Sequence, residues 1–260
     1  MQVFRIKGSF TSLDEKVSAL FELGARGLEE KSAEVWAYFP ERLELALPGE
    51  WQELPDTDWL EAWKRDLQPV KAGPFVVLAP WHSWDGDELR IQLEPGMAFG
   101  TGHHQTTRMA LEELAQQVKP GMRVLDLGTG SGILAIGAEM LGAEAVGLDT
   151  DAAVIPQAED NARANGVSAS FWVGGLDSLP GLSGTAQGPF DLLVANLYAE
   201  LHLELAQEYT RILGTCGTAI LTGILVERGD LVKEAMLLAG FTLLSERQDG
   251  DWLLQAYSKR

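Results

Sequence analysis

Apolar and polar positions alternate along the chain in two ways, and the change between them divides the sequence. Up to about residue 55, short alternating runs such as VFRIKGSF (3–10), EVWAYF (34–39) and LELAL (43–47) predict strands, with one helix after the first. From residue 105 onward, stripes with helical spacing alternate with strand-like runs. That alternation is typical of βαβ crossovers and a mostly parallel sheet. We therefore predict an α/β protein with a small N-terminal unit and a larger C-terminal domain.

Two details of the pattern refine this architecture. FTLLSER (241–247) and WLLQAY (252–257) are separated by a short QDGD turn, which predicts an antiparallel hairpin at one edge of the sheet. Trp59, Trp63 and Leu67 form a narrow apolar stripe that ends at Pro69, as expected of a helical connector. A surface helix of a single domain is the alternative. The expected domains are residues 1–55, a linker at 56–69 and residues 70–260.

The composition restricts the classes of partner. The formal net charge is −18, which favours a basic macromolecular partner and disfavours direct contact with nucleic acid, although simple solubility explains it equally well. No apolar run reaches the roughly 18 residues that span a bilayer, so no membrane association is expected. A single cysteine, Cys216, provides no disulfide framework, and we expect a cytoplasmic protein.

One glycine-rich stretch follows a strand directly. VLDLGTGSG (124–132) combines a strand, an acid and three glycines, and a helix comes next. In an open parallel sheet, ligands bind at the carboxyl ends of the strands, and glycines let them approach the backbone. The next strand ends at Asp149, whose carboxylate can accept from both ribose hydroxyls. A nucleotide-type cofactor is therefore predicted at this edge.

The spacing distinguishes two cofactors. Dinucleotide sites require G-x-G-x-x-G, whereas this chain has Gly128, Gly130 and Gly132, with Ile133 at the position of the last glycine. Asp126 would repel a pyrophosphate but would suit an ammonium or a sulfonium. S-adenosylmethionine has both cations and no phosphate, so we favour it over NAD.

Four segments together resemble a known family. AFGTGHHQTT (98–107), DLGTGSGILAIGA (126–138), the acid in GLDTD (147–151) and NLYAEL (196–201) resemble the bacterial methyltransferases of ribosomal protein L11 in order and spacing over residues 95–258. The resemblance implies a Rossmann-like class I methyltransferase sheet with an antiparallel edge hairpin, a small ferredoxin-like N-terminal α/β domain and a helical linker. It further implies a monomer that transfers methyl groups from S-adenosylmethionine to lysine ε-amines of ribosomal protein L11, with the N-terminal α-amine as a further candidate.

The second glycine-rich stretch, residues 97–107, is expected to cover the cofactor. The resemblance implies that Thr107 contacts the cofactor, whereas a plain helix cap at Thr106 or Thr107 is the alternative. The predicted cofactor-binding residues are Phe99, Thr101, Gly102, Thr106, Thr107, Asp126, Gly128, Gly130, Asp149, Thr150 and Asn196.

The predicted acceptor site follows the strand DLLVAN. Asn196 and the backbone carbonyl of Leu197 are expected to orient a free alkylamine, with capping of the next helix as the alternative role for Asn196. His104 either assists the departure of a proton or is a structural hydrogen-bonding residue. A metal site at His103 and His104 is not expected, because no third ligand lies at a suitable spacing.

Three functions remain open at this point. The first is methylation of a basic ribosomal protein. The second is methylation of RNA or a small amine with the same cofactor. The third is a cofactor-binding module without catalytic activity, which the presence of Asp126, Gly128, Asp149 and Asn196 disfavours.

Overall fold

The computed structural model describes most of the chain. The described residues are 2–8, 20, 23–25, 27–31, 34–39, 41–43, 45, 47–53, 68–94, 102, 104–179 and 190–260. The helix expected after the first strand and the connector helix within 56–69 lie almost entirely outside these residues. The chain divides into two compact units, Met1–Gln68 and Pro69–Arg260.

The N-terminal unit contains one antiparallel sheet. Its strands are β1 (Gln2–Lys7), β2 (Gly27–Lys31), β3 (Glu34–Phe39) and β4 (Glu50–Glu53), in the order β2-β3-β1-β4. The prediction of a strand at 43–47 is wrong, because no strand is present at the described residues of this run and the fourth strand begins at Glu50. Leu43, Leu45 and Leu47 nevertheless pack against the core of this unit. The alternation of apolar and polar residues at 43–47 therefore indicates burial of the leucines and not pairing in a sheet.

The C-terminal unit is built around a mixed sheet of seven strands. It begins with a separate small sheet of β5 (Val70–Ala72), β6 (Phe75–Leu78) and β7 (Leu89–Gln92), followed by α1 (Gln105–Gln117). The strands of the large sheet and the helices between them then follow in chain order as β8 (Arg123–Leu127), α2 (Ile133–Met140), β9 (Glu144–Asp149), α3 (Ile155–Ala164), β10 (Ser170–Val173), β11 (Phe190–Asn196), α4 (Ala199–Ile212), β12 (Leu213–Leu225), α5 (Gly229–Leu238), β13 (Phe241–Asp249) and β14 (Trp252–Lys259).

The order of the large sheet determines where a ligand can bind. The strands follow one another as β10-β9-β8-β11-β12-β14-β13, with parallel pairing from β10 to β12 and antiparallel pairing at β14. The predicted edge hairpin is present as β13 and β14. The strand order reverses between β8 and β11, and the crevice at such a switch point is the usual ligand site of α/β sheets.

Apolar side chains cover both faces of this sheet. One buried cluster includes residues of α1, α2 and α3, and the other includes residues of α4 and α5. Val194 contributes to the first cluster and Leu193 to the second, so β11 is buried on both faces, as its almost continuous apolar run predicts. Among the described residues, no helix is long and apolar enough to cross a bilayer.

Candidate active site

The loop after β8 has a backbone that only glycines adopt without strain. Gly128, Gly130 and Gly132 have φ angles of 73°, 51° and 82°. The backbone N–H groups of Gly128 and Thr129 both donate to the Leu148 carbonyl, at 2.8 and 2.9 Å, which ties the loop to the end of β9. The three glycines thus form a turn that leads into α2, and a ligand can approach the backbone of this turn closely because no side chain is attached at these positions.

Asp126 is completely buried beneath this loop. Its Oδ2 atom accepts from the Thr129 hydroxyl at 2.7 Å and from the backbone N–H of Ala135 at 3.1 Å, so the carboxylate caps the first turn of α2. Its Oδ1 atom is buried and has no hydrogen-bond partner among the described residues. Burial raises the pKa of the Asp126 carboxyl to about 7, although the bonds from Thr129 and Ala135 oppose the shift. An additional cation or donor next to Oδ1 would satisfy this carboxylate.

Asp149 holds the same loop from the end of β9. Its Oδ2 atom accepts from the backbone N–H of Gly130 at 2.9 Å, and its Oδ1 atom accepts from the N–H of Asp151 at 3.0 Å. The side chain is half-buried, and Thr150 next to it is exposed. Each carboxylate oxygen keeps a second lone pair, so Asp149 can still accept from a diol.

The structure corrects how α1 begins. The helix starts at Gln105, and its N-cap is His104, whose Nδ1 lies 2.7 Å from the Thr106 hydroxyl and 3.4 Å from the Thr106 backbone nitrogen. Thr106 and Thr107 are buried in the first turn, so neither is the cap that the alternative interpretation required. Burial, with a smaller contribution from the charge of Arg108, lowers the pKa of His104. Its role in proton departure stays a prediction.

Part of the covering loop lies outside the described residues. Phe99, Thr101 and His103 are not described, whereas Gly102 is buried, with a φ of 82°. A Cβ on Gly102 would lie 2.9 Å from a methyl group of Val77 in β6, so this glycine is needed for close packing.

Asn196 lies at the carboxyl end of β11, directly opposite Thr222 of β12. Its Nδ2 donates to the Thr107 hydroxyl over a long 3.5 Å contact. The N-cap of α4 is Tyr198, with no side-chain capping bond, so Asn196 is not the helix cap. A Cβ on Gly128 would overlap the side chain of Leu197. The glycine loop and the predicted acceptor segment are therefore in van der Waals contact.

Two residues beneath this segment were missed from the sequence. Gly223 has a φ of 79°, and a Cβ on it would overlap the Leu197 carbonyl and lie 3.0 Å from Asn196 Oδ1. His202 is fully buried, with its ring nitrogens 3.1 Å from the Tyr209 hydroxyl and 2.9 Å from the Thr222 carbonyl. A glycine within a strand and a polar residue on the apolar face of a helix were the available signals.

Two amide side chains, one on α3 and one at its C-cap, were also missed from the sequence. Asn161 is buried, donates to the Ser131 carbonyl at 2.8 Å and accepts from the N–H of Glu94 at 3.1 Å. One turn later, Asn165 exchanges two hydrogen bonds with the backbone of Gln92. Asn161 therefore connects the glycine loop to the segment after β7, whereas Asn165 connects the end of α3 to the last residue of β7. Their helical spacing was the available signal.

The donor set fits an organic cation better than a metal ion or a pyrophosphate. Within the described part of the chain, no three histidine, cysteine or carboxylate side chains are grouped as metal ligands. The orphaned Asp126 oxygen would attract a cation, and the glycine turn accommodates a ligand at its backbone.

The profile of the family Ribosomal protein L11 methyltransferase (PrmA) matches residues 7–260. The chain belongs to this family. A ribosomal protein L11 methyltransferase of Thermus thermophilus is 56% identical over 260 residues, which is all of both chains. One from Deinococcus radiodurans is 45% identical, covering 98% of this chain and 97% of its own.

A solved structure agrees with this family membership. The ribosomal protein L11 methylase of Lactobacillus delbrueckii subsp. bulgaricus superposes with a TM-score of 0.64 at 30% identity, over 72% of this chain and 94% of its own. The chain therefore has the α/β fold of class I methyltransferases, with a mixed seven-stranded sheet and small additional sheets before it. The resemblance inferred from the four sequence segments is confirmed.

Proposed function

We propose that the protein transfers methyl groups from S-adenosylmethionine to lysine ε-amines of ribosomal protein L11, with its N-terminal α-amine as a further acceptor. The observation that supports the proposal is the contact between the glycine loop and Leu197, because it puts the turn predicted to bind the cofactor next to the segment predicted to orient the amine. Membership of the family supports the substrate and the reaction.

The described residues offer the cofactor complementary groups. When bound, S-adenosylmethionine supplies a methyl group on a cationic sulfur, which an amine takes by in-line displacement. Asp126 would face the ammonium of the methionine portion through its orphaned Oδ1, and Asp149 would accept from the ribose hydroxyls. Thr106 and Thr107 lie in the first turn of α1 and Gly102 lies three residues before that helix, whereas roles for Phe99 and Thr101 rest on the family resemblance alone.

The acceptor amine needs two groups that accept its hydrogens. Because Asn196 Nδ2 donates to Thr107, Oδ1 is the atom of that amide that can accept from the amine. The Leu197 carbonyl is the second acceptor. With both hydrogens held, the lone pair of the neutral amine points away from Asn196 and Leu197, which is the orientation that a displacement requires.

The N-terminal unit is proposed to bind the protein substrate. Its antiparallel order, β2-β3-β1-β4, supports a ferredoxin-like domain. The net charge of −18 favours a basic partner over RNA. We further propose that the protein acts as a monomer in the cytoplasm.

A labelling experiment tests the function. Wild-type protein, Asn196→Ala and the control Gln207→Ala, which removes an exposed amide on α4, are incubated with labelled S-adenosylmethionine and either ribosomal protein L11, ribosomal RNA or a small amine. We expect labelled protein with the wild type and the control, and at least a hundredfold less labelled protein with Asn196→Ala at saturating cofactor. Label on RNA alone, or equal labelling by Asn196→Ala, would contradict the proposal.

A further inference from the structure

His202 is a buried titratable side chain outside the predicted site. It lies in the first half of α4 and has no exposed surface. An imidazole that is removed from water must form hydrogen bonds within the protein. Its bonds therefore indicate what the side chain contributes.

The contacts with Thr222 and Tyr209 define one tautomer of the ring. The Thr222 carbonyl, 2.9 Å from Nε2, can only accept, so Nε2 carries the proton. Nδ1 is then the acceptor for the Tyr209 hydroxyl at 3.1 Å. Burial lowers the pKa of His202 to about 4, while bonds with the backbones of Thr222 and Leu197 oppose the shift, so the ring is neutral near pH 7.

The Thr222 carbonyl connects His202 to the acceptor segment. This carbonyl also accepts from the backbone N–H of Leu197 at 3.1 Å, and Thr222 lies opposite Asn196 in the register of β11 and β12. The next residue, Gly223, contacts the Leu197 carbonyl at a distance that leaves no room for a Cβ. The orientation of the Leu197 peptide groups thus depends on where the Thr222 carbonyl points.

We propose that His202 is a positioning residue for the acceptor amine. Its Nε2–H holds the Thr222 carbonyl, which holds the Leu197 N–H, and this sets the direction of the Asn196–Leu197 turn toward the amine. The assignment rests on the proposed function, because the turn matters for catalysis only if it receives an amine. His202 itself neither gains nor loses a proton in this role.

The test separates positioning from stability. The variant His202→Phe/Tyr209→Phe removes every hydrogen bond of the ring without leaving the Tyr209 hydroxyl unpaired, and His202→Gln retains an N–H donor. Tyr257→Phe is the matched control, because Tyr257 is also fully buried and donates to Gln255 in the β14 strand. All proteins are assayed at a temperature well below the Tm of the least stable variant.

Two readouts are used. The first is kcat/KM for ribosomal protein L11 together with the Kd for S-adenosylmethionine. The second is hydrogen exchange at the Leu197 amide, which needs no substrate. For the double variant we expect at least a tenfold loss of kcat/KM, a Kd within twofold of wild type and at least tenfold faster exchange at Leu197. His202→Gln should recover most of the activity, and Tyr257→Phe should match the wild type.

Unchanged exchange at Leu197, or kcat/KM within twofold of wild type in the folded double variant, would overturn the positioning role. If instead the wild-type protein leaves ribosomal protein L11 unlabelled, the proposed function fails, and the exchange measurement still reports whether His202 holds the turn.

Discussion

Cofactor binding should depend on pH through Asp126. In the free protein, burial raises the pKa of this carboxyl to about 7, and the nearby charge of Asp149 adds to the shift. A bound ammonium next to Oδ1 favours the ionised form and lowers that pKa. Because the free protein then binds more protons than the complex, binding releases a proton, and affinity rises with pH.

The magnitude follows from the pKa. At pH 6 about ten of every eleven Asp126 carboxyls are protonated, and at pH 8 about one in eleven is. If the cofactor requires the carboxylate, the apparent Kd is about tenfold weaker at pH 6 than at pH 8, which corresponds to about 1.4 kcal/mol.

Titration calorimetry measures both the affinity for the cofactor and the number of protons released on binding. S-adenosylmethionine is titrated into the wild type and into Asp126→Asn between pH 6 and 8, in buffers with different ionisation enthalpies. Because the amine of the cofactor also titrates, the measurement with Asp126→Asn provides the correction for that titration. We expect proton release by the wild type at pH 6 and a weaker, flatter affinity profile in the variant. Identical pH profiles for the two proteins would refute the reasoning, because the orphaned oxygen would then have no role toward the cation.

Two further substitutions and a change of pH test the surrounding structure. Gly223→Ala should destabilise the fold by about 1–3 kcal/mol in urea denaturation and reduce methyl transfer at least tenfold, because the Cβ would displace the Leu197 carbonyl at an unfavourable φ; wild-type labelling would contradict this. Acid should destabilise the protein through His202, whose folded pKa of about 4 lies below its usual value, by about 3 kcal/mol as pH falls from 6.5 to 4; the reasoning fails if replacing His202 leaves the acid dependence of Tm unchanged. Asn161→Leu should cost about 2 kcal/mol by leaving the buried Ser131 carbonyl without this donor, and an unaltered unfolding midpoint would show that the bond contributes nothing.

Local patterns in the sequence predicted most of the C-terminal architecture. Helix and strand periodicities repeat within ten to fifteen residues, so the alternation, the doubly buried β11 and the edge hairpin follow from neighbours along the chain. The glycine loop was predictable for the same reason, because its left-handed turns are encoded by the glycines themselves. The run at 43–47 shows the limit of this reasoning, since alternation encodes burial but not a pairing partner.

Only the tertiary structure decided which residues that are distant in the sequence are in contact. Asn196 contacts Thr107 although the two are separated by 89 positions in the sequence, and His202 contacts the Thr222 carbonyl at a separation of 20 positions. Asp126 was expected to face a ligand, yet one of its oxygens caps α2, which depends on how β8 packs against that helix. Hydrogen bonds of this kind form where the folded sheet brings strand ends together. They cannot be predicted from the periodicity of neighbouring residues along the chain. The sequence therefore determined which side chains end each strand, and the packing of the strands determined which of them touch.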